Sequence, residues 1–232
     1  MKNYKLLNQI DHVLKASVPN DLTYEINTTP ISNLKDVLGF DYFKFIPAPP
    51  TNNSESTLLD LKELERITQE LTPKQIKFIY AVDREPIDVF NDYLTQYKAK
   101  VPVKIFKPLY EEYVKTIITD LKNFFNRPRP IQLAKILNID IKVIETKTHQ
   151  TPAYPSGHSA YAFLLAHVCA DFYPNHKKEL FELANQCGYA RMLQGVHYRS
   201  DHNASKLLIS KLYPKLKNLH NKLKLKALKK EL

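Results

Sequence analysis

The sequence predicts a single, predominantly α-helical domain, and three observations carry that expectation. Glycine is scarce, four in 232 residues, and glycine is costly inside helices. Apolar residues recur at helical spacing along most of the chain. No repeat or low-complexity linker divides it, and 232 residues suffice for one domain with a sizeable core.

Each element follows from local chemistry. Residues 1–40 mix polar and apolar positions too weakly to specify structure. The prolines of Ile46-Pro-Ala-Pro-Pro50 hold an extended loop. Ser54 or Ser56 then caps a helix with Leu58, Leu61, Leu64 and Ile67 on one face. Further helical patterns cover about 73–82, 86–97 and 104–125, the last with Leu109, Tyr113, Ile117, Leu121 and Phe124 in register. Asn126-Arg-Pro-Arg-Pro130 must end that helix. A looser stretch follows over 131–155, with an extended piece at Ile139–Ile144. Ser156 opens a strongly apolar helix to about Tyr173, stopped by Pro174, and another runs from about His176 to Gln194. A last helix begins near Asp201, is expected to break at Pro214, and leads into a lysine-rich tail. The expected organisation is an N-terminal segment (1–40), a catalytic domain (41–210) and a helical tail (211–232).

The net charge of +10 is concentrated in that tail, where eight lysines face Glu231 alone. The tail thus offers a surface for an anionic membrane or nucleic acid, or for packing on its own domain or a partner; a homo-oligomer is a separate expectation. Cys169 and Cys187, both in apolar surroundings, do not make a disulfide framework. The first residues lack the unbroken apolar core of a secretory signal, and no stretch approaches the roughly 20 apolar residues of a membrane span. The expected compartment is the cytoplasm.

Three clusters carry chemistry. The first is Lys122 followed by Arg127-Pro-Arg129-Pro130, the second Pro155-Ser156-Gly157-His158, the third Arg191 with His197 and Asp201 beyond it. Lys122, Arg129 and Arg191 supply three fixed positive charges, and guanidinium forks suit phosphate oxygens. Ser156 and Gly157 lie where a loop enters a helix, so their amides can face an anion. His197 is a candidate nucleophile, with Asp201 four residues on to hold its far ring nitrogen. His158 is a second histidine, suited to protonate a leaving alkoxide. Singly, each has a blander explanation: an exposed charge, a turn, a surface His–Asp pair. Jointly they fix ten identities, and at roughly one in twenty per position, with ~10⁵ placements of the gaps, chance agreement is on the order of 10⁻⁸.

The spacing Lys-x6-Arg-Pro, Pro-Ser-Gly-His, Arg-x5-His-x3-Asp over residues 122–201 resembles the type 2 phosphatidic acid phosphatase (PAP2) superfamily. That superfamily also holds bacterial class A non-specific acid phosphatases and vanadium haloperoxidases. The class A branch is the more similar, on Arg127-x-Arg129-Pro130 and the proline-rich Ile46–Pro50. Two positions depart from it: Ala190 stands where the third motif has Ser, and no Gly-Arg pair occurs around Glu65 and Arg66. The resemblance implies an all-α bundle, and the cationic clusters, without a group of carboxylates to hold Mg²⁺ or Zn²⁺, predict metal-independent hydrolysis of a small-molecule phosphomonoester. The resemblance also implies a phosphohistidine at His197, a general acid at His158 and no cofactor, with vanadate binding as a phosphate mimic. Its alternatives are a vanadium-dependent haloperoxidase and a peripheral lipid phosphate phosphatase.

Overall fold

The computed structural model of the chain describes residues 22–24, 31–146, 148 and 150–228, and among these no β-strand occurs. The described residues hold ten α-helices in order: α1 (Leu34–Leu38), α2 (Glu55–Ile67), α3 (Pro73–Arg84), α4 (Pro86–Thr95), α5 (Val103–Pro108), α6 (Lys115–Phe125), α7 (Pro130–Leu137), α8 (Gly157–Phe172), α9 (Lys177–Leu193) and α10 (Arg199–Leu228). The expectation of an all-helical domain therefore holds. Most of the expected N-terminal segment lies outside the described residues.

Helix α8 is the centre of the bundle. It is apolar on nearly every side, with Ala160, Ala162, Phe163, Leu164, Leu165, Ala166, Val168 and Cys169 all buried. A helix apolar all round belongs inside a core, and α8 packs most extensively on α9 and then α10, with α4, α5 and α6 also touching it. The α9–α10 contact is close at Gly188, where a Cβ would collide with the His202 ring.

Several ends are set by capping chemistry. Ser54, not Ser56, caps α2 by accepting from the Thr57 amide at 3.2 Å. Thr72 and Gln75 form a reciprocal capping box at the start of α3. Pro108 removes one amide donor, and the expected 104–125 helix widens into a π turn over Leu109–Val114 before resuming as α6. Asn126 in the left-handed region then closes α6, its backbone N–H donating a hydrogen bond to the Lys122 carbonyl at 2.8 Å.

Three expectations change. The stretch after Pro130 is not loose: Pro130 sits at the first helical position, the Gln132 side chain accepts from the Arg129 amide at 2.7 Å, and Asn138 ends α7. Pro214 does not break the last helix, which runs unbroken from Arg199 to Leu228. Leu212, Tyr213 and Leu216 are buried in the core, so the packed unit passes beyond the expected boundary at residue 210. Tyr213 and Lys217 both engage Asp171 at the end of α8. Among the described residues no helix is long and apolar enough to cross a membrane.

Candidate active site

The three clusters converge on one cavity of about 680 Å³, lined at its inner end by Lys122, Arg129, Gly157, His158 and His197. Lys122 comes from the last turn of α6 and Arg129 from the cap of α7. Gly157 and His158 form the first turn of α8. His197 lies in the turn between α9 and α10, which Gly195 makes possible. Gly195 has φ +79°, and a Cβ there would stand 2.6 Å from the Lys142 carbonyl oxygen.

His197 is fixed from both sides. Its Nδ1 lies 3.0 Å from Asp201 Oδ2 and its Nε2 lies 2.9 Å from Arg129 Nη1. A guanidinium can only donate, so Nε2 is the acceptor and Nδ1 carries the proton toward Asp201. Burial, with Arg129 and Lys122 close by, pushes the imidazole well below its ordinary pKa, so the ring is neutral with its lone pair on the cavity side. Asp201 is held in turn by Arg127, whose Nη1 donates to Oδ1 at 2.6 Å, and by the Tyr198 amide at 3.0 Å. Burial raises the Asp201 carboxyl while Arg127 opposes it. The Arg127 guanidinium lies 3.9 Å from the Tyr198 ring centroid and donates to Ser200 Oγ at 2.8 Å. Ser200 reaches on to the buried carboxylate of Asp60.

The cations are held by the loop before α8. Lys122 donates to Thr151 Oγ1 at 3.2 Å and to the Pro152 carbonyl. Arg129 donates from Nε to the Thr151 carbonyl at 2.8 Å and from Nη1 to the Val196 carbonyl at 2.7 Å. Burial pushes the Lys122 ammonium well below its usual value, and brings Arg129 down to about 10. Both shifts reflect cations crowded in a buried place, the condition that favours an incoming anion.

Arg191 is almost fully buried and reaches the site through Asp83. Its Nη1 donates to Asp83 Oδ1 and its Nη2 to Thr148 Oγ1 at 2.9 Å. The Asp83 carbonyl accepts from His158 Nε2 at 3.2 Å, which leaves His158 Nδ1 as the nitrogen able to take a proton. Burial and the Arg191 charge push His158 down to about 3.

The structure brings all eight sequence candidates together, but in two ranks. Lys122, Arg129, Gly157, His158 and His197 line the cavity, whereas Ser156, Arg191 and Asp201 stand behind it. Ser156 is a knot between helices: its amide donates to the Asp201 carbonyl at 3.3 Å, its hydroxyl caps the Ser159 amide, and its carbonyl accepts from Ser205. Its amide is therefore not free to face an anion as expected. Gly157 has room for a Cβ, with only Ile118 Cγ2 at 3.8 Å, so packing alone does not demand glycine there.

Sequence reasoning missed Asp83, Thr148 and Thr151, and it treated Arg127 only as part of a motif. Asp83 lies 108 positions from Arg191, where no local pattern could pair them. The run of threonines at 146, 148 and 151 was the available signal.

Residues 112–210 match the model of the PAP2 superfamily. A non-specific acid phosphatase of Providencia stuartii is 24% identical over 207 residues, 84% of this chain and 81% of that one. A non-specific acid phosphatase of Salmonella typhimurium is 36% identical over 62 residues, 27% of this chain and 25% of that one. Among solved structures, a transmembrane PAP2-type phosphatidylglycerolphosphate phosphatase from Bacillus subtilis superposes with a TM-score of 0.50 at 18% identity. The match covers 72% of this chain and 86% of that one, and it bears on the fold alone.

Proposed function

We propose that this chain, whose residues 112–210 match the PAP2 superfamily model, is a phosphatase that hydrolyses phosphomonoesters through a phosphohistidine on His197, without a metal ion. The observation that carries this is the Asp201–His197–Arg129 chain, which presents a neutral imidazole Nε2 lone pair beside Lys122 and His158 in one cavity.

The steps follow from that geometry. The phosphoryl group enters between Lys122 and Arg129, and Arg129 exchanges its bond to His197 Nε2 for phosphate oxygens. Nε2 attacks phosphorus, the N–P bond forms and the P–O bond to the leaving alkoxide breaks. Asp201, braced by Arg127, stabilises the cationic ring that results. A bound phosphoryl dianion favours the charged form of His158, so its Nδ1 takes up a proton and delivers it to the departing oxygen. The same nitrogen then accepts a proton from the water that attacks phosphohistidine, restoring His197 and releasing phosphate. Lys122 and Arg129, with Arg191 behind them, supply the charge stabilisation that a divalent ion gives in metal-dependent hydrolases. Vanadate, a trigonal-bipyramidal mimic of the transferring group, is expected to inhibit.

A panel of phosphomonoesters, nucleotides, diphosphates and phosphatidic acid, assayed with and without EDTA, tests the reaction class. Soluble phosphomonoesters should be hydrolysed equally well in both conditions. Complete loss in EDTA with recovery on adding a divalent ion would overturn the mechanism.

A further inference from the structure

The inner end of the cavity is cationic, but its far wall is aromatic. Tyr161 lies three residues beyond His158 on α8 and shares its face. Both line the cavity together with Tyr110 and Phe106. The Tyr161 ring stands edge-on to both, its centroid 4.5 Å from that of Tyr110 and 4.8 Å from that of Phe106. Phe106 and Tyr110 are stacked, 5.8 Å apart and 9° from parallel. Phe106 is buried behind, while Tyr110 and Tyr161 keep partly exposed surface. The Tyr161 hydroxyl reaches Glu85 Oε2 at 3.5 Å, which restrains the far end of the ring.

The charges beside this wall are matched. Lys115 is bonded to Glu111 at 2.9 Å and Arg84 to Asp88 at 3.0 Å, while Glu85 and Lys107 stand on the same wall with opposite signs. A second phosphate on the leaving group would meet carboxylates as readily as cations. A flat uncharged ring would meet the aromatic faces and edges that such rings favour.

Resting on the phosphatase reading above, we propose that Tyr161 and Tyr110 form the leaving-group subsite and select phosphomonoesters of uncharged, planar aromatic alcohols. His158 protonates the departing oxygen, so the group attached to that oxygen extends along the face of α8 that His158 shares with Tyr161.

The test uses two phosphonates of equal charge and similar size that are not hydrolysed, benzylphosphonate and cyclohexylmethylphosphonate. Calorimetric titration should show the benzyl compound binding about fivefold tighter to the wild type, the range that aromatic pairing contributes beyond area burial. Tyr161→Leu and Tyr110→Leu should each bring the ratio toward one, with circular dichroism confirming that each variant is folded. Equal affinities in the wild type, or a preference that survives in both folded variants, would overturn the subsite. Turnover of benzyl phosphate is read separately: a benzyl preference without turnover upholds the subsite and contradicts the hydrolase.

Discussion

Two buried residues decide the state of His197, and only one belongs to the motif that drew attention to it. Asp201 accepts the hydrogen bond from Nδ1–H, and Arg127 holds Asp201 through a 2.6 Å contact between side chains that are almost fully buried. Removing one partner of such a pair strands the other charge, at a cost of about 3–5 kcal/mol. Arg127→Met should therefore destabilise the fold by that order and lower kcat, because a carboxylate without its counter-ion no longer orients His197. The double variant Arg127→Met/Asp201→Asn should be more stable than Arg127→Met alone, since the stranded charge is gone. Urea midpoints for the wild type, Arg127→Met, Asp201→Asn and the double variant check this, and a double variant less stable than Arg127→Met would contradict it. Of the candidate residues, those in short-range motifs were legible in the sequence. Asp83 and the brace of Arg127 were not, because their partners lie 108 and 74 positions away and only the packed bundle brings them together.

Among the elements, helices with strong periodicity and a clear stop were legible: α2, α8 and α9 lie where apolar spacing and capping residues put them. Helix α7 was hidden, because Pro130 reads as a breaker until it is placed at the first helical position, where its missing amide costs nothing. Pro214 misled in the same way, since the burial of Leu212, Tyr213 and Leu216 outweighs the lost backbone bond in α10. The turn between α9 and α10 depends on Gly195, whose positive φ and the 2.6 Å approach of the Lys142 carbonyl leave no space for a side chain. Gly195→Ala should shift Val196 and His197 away from Arg129. It should reduce kcat by more than tenfold, together with a stability loss of about 1–3 kcal/mol from strain at that position. Paired kinetic and thermal-melt measurements test it, and unchanged kcat would show that the turn does not set His197.

For the whole molecule, burial sets the response to acid. His158 is depressed to about 3, His167 and His202 to about 4, and His197 lies well below its ordinary value. These rings charge near 6.5 once unfolded, so between about 4 and 6.5 the unfolded chain binds more protons and stability falls as pH falls. The lowered carboxyls of Asp83, Glu63 and Asp171 act in the same direction, whereas the raised Asp60 and Asp201 oppose it. The melting temperature should therefore drop from pH 7 to pH 4. His167→Phe, which keeps the stack on Tyr213 and the edge-on contact with Phe181, should flatten that slope. A melting temperature independent of pH over this range would count against the buried neutral histidines.

We propose that one imidazole nitrogen, presented by the whole bundle, becomes covalently phosphorylated. Rapid acid-free quenching with phosphoryl-labelled substrate, followed by identification of the labelled residue, tests it most directly. Label is expected on His197 in the wild type, and none in His197→Ala. Label should accumulate in His158→Ala with an activated aryl phosphate, whose leaving group needs little protonation but whose phosphohistidine then lacks its base. Label on His158 or Ser156, or turnover with no labelled residue at all, would contradict it.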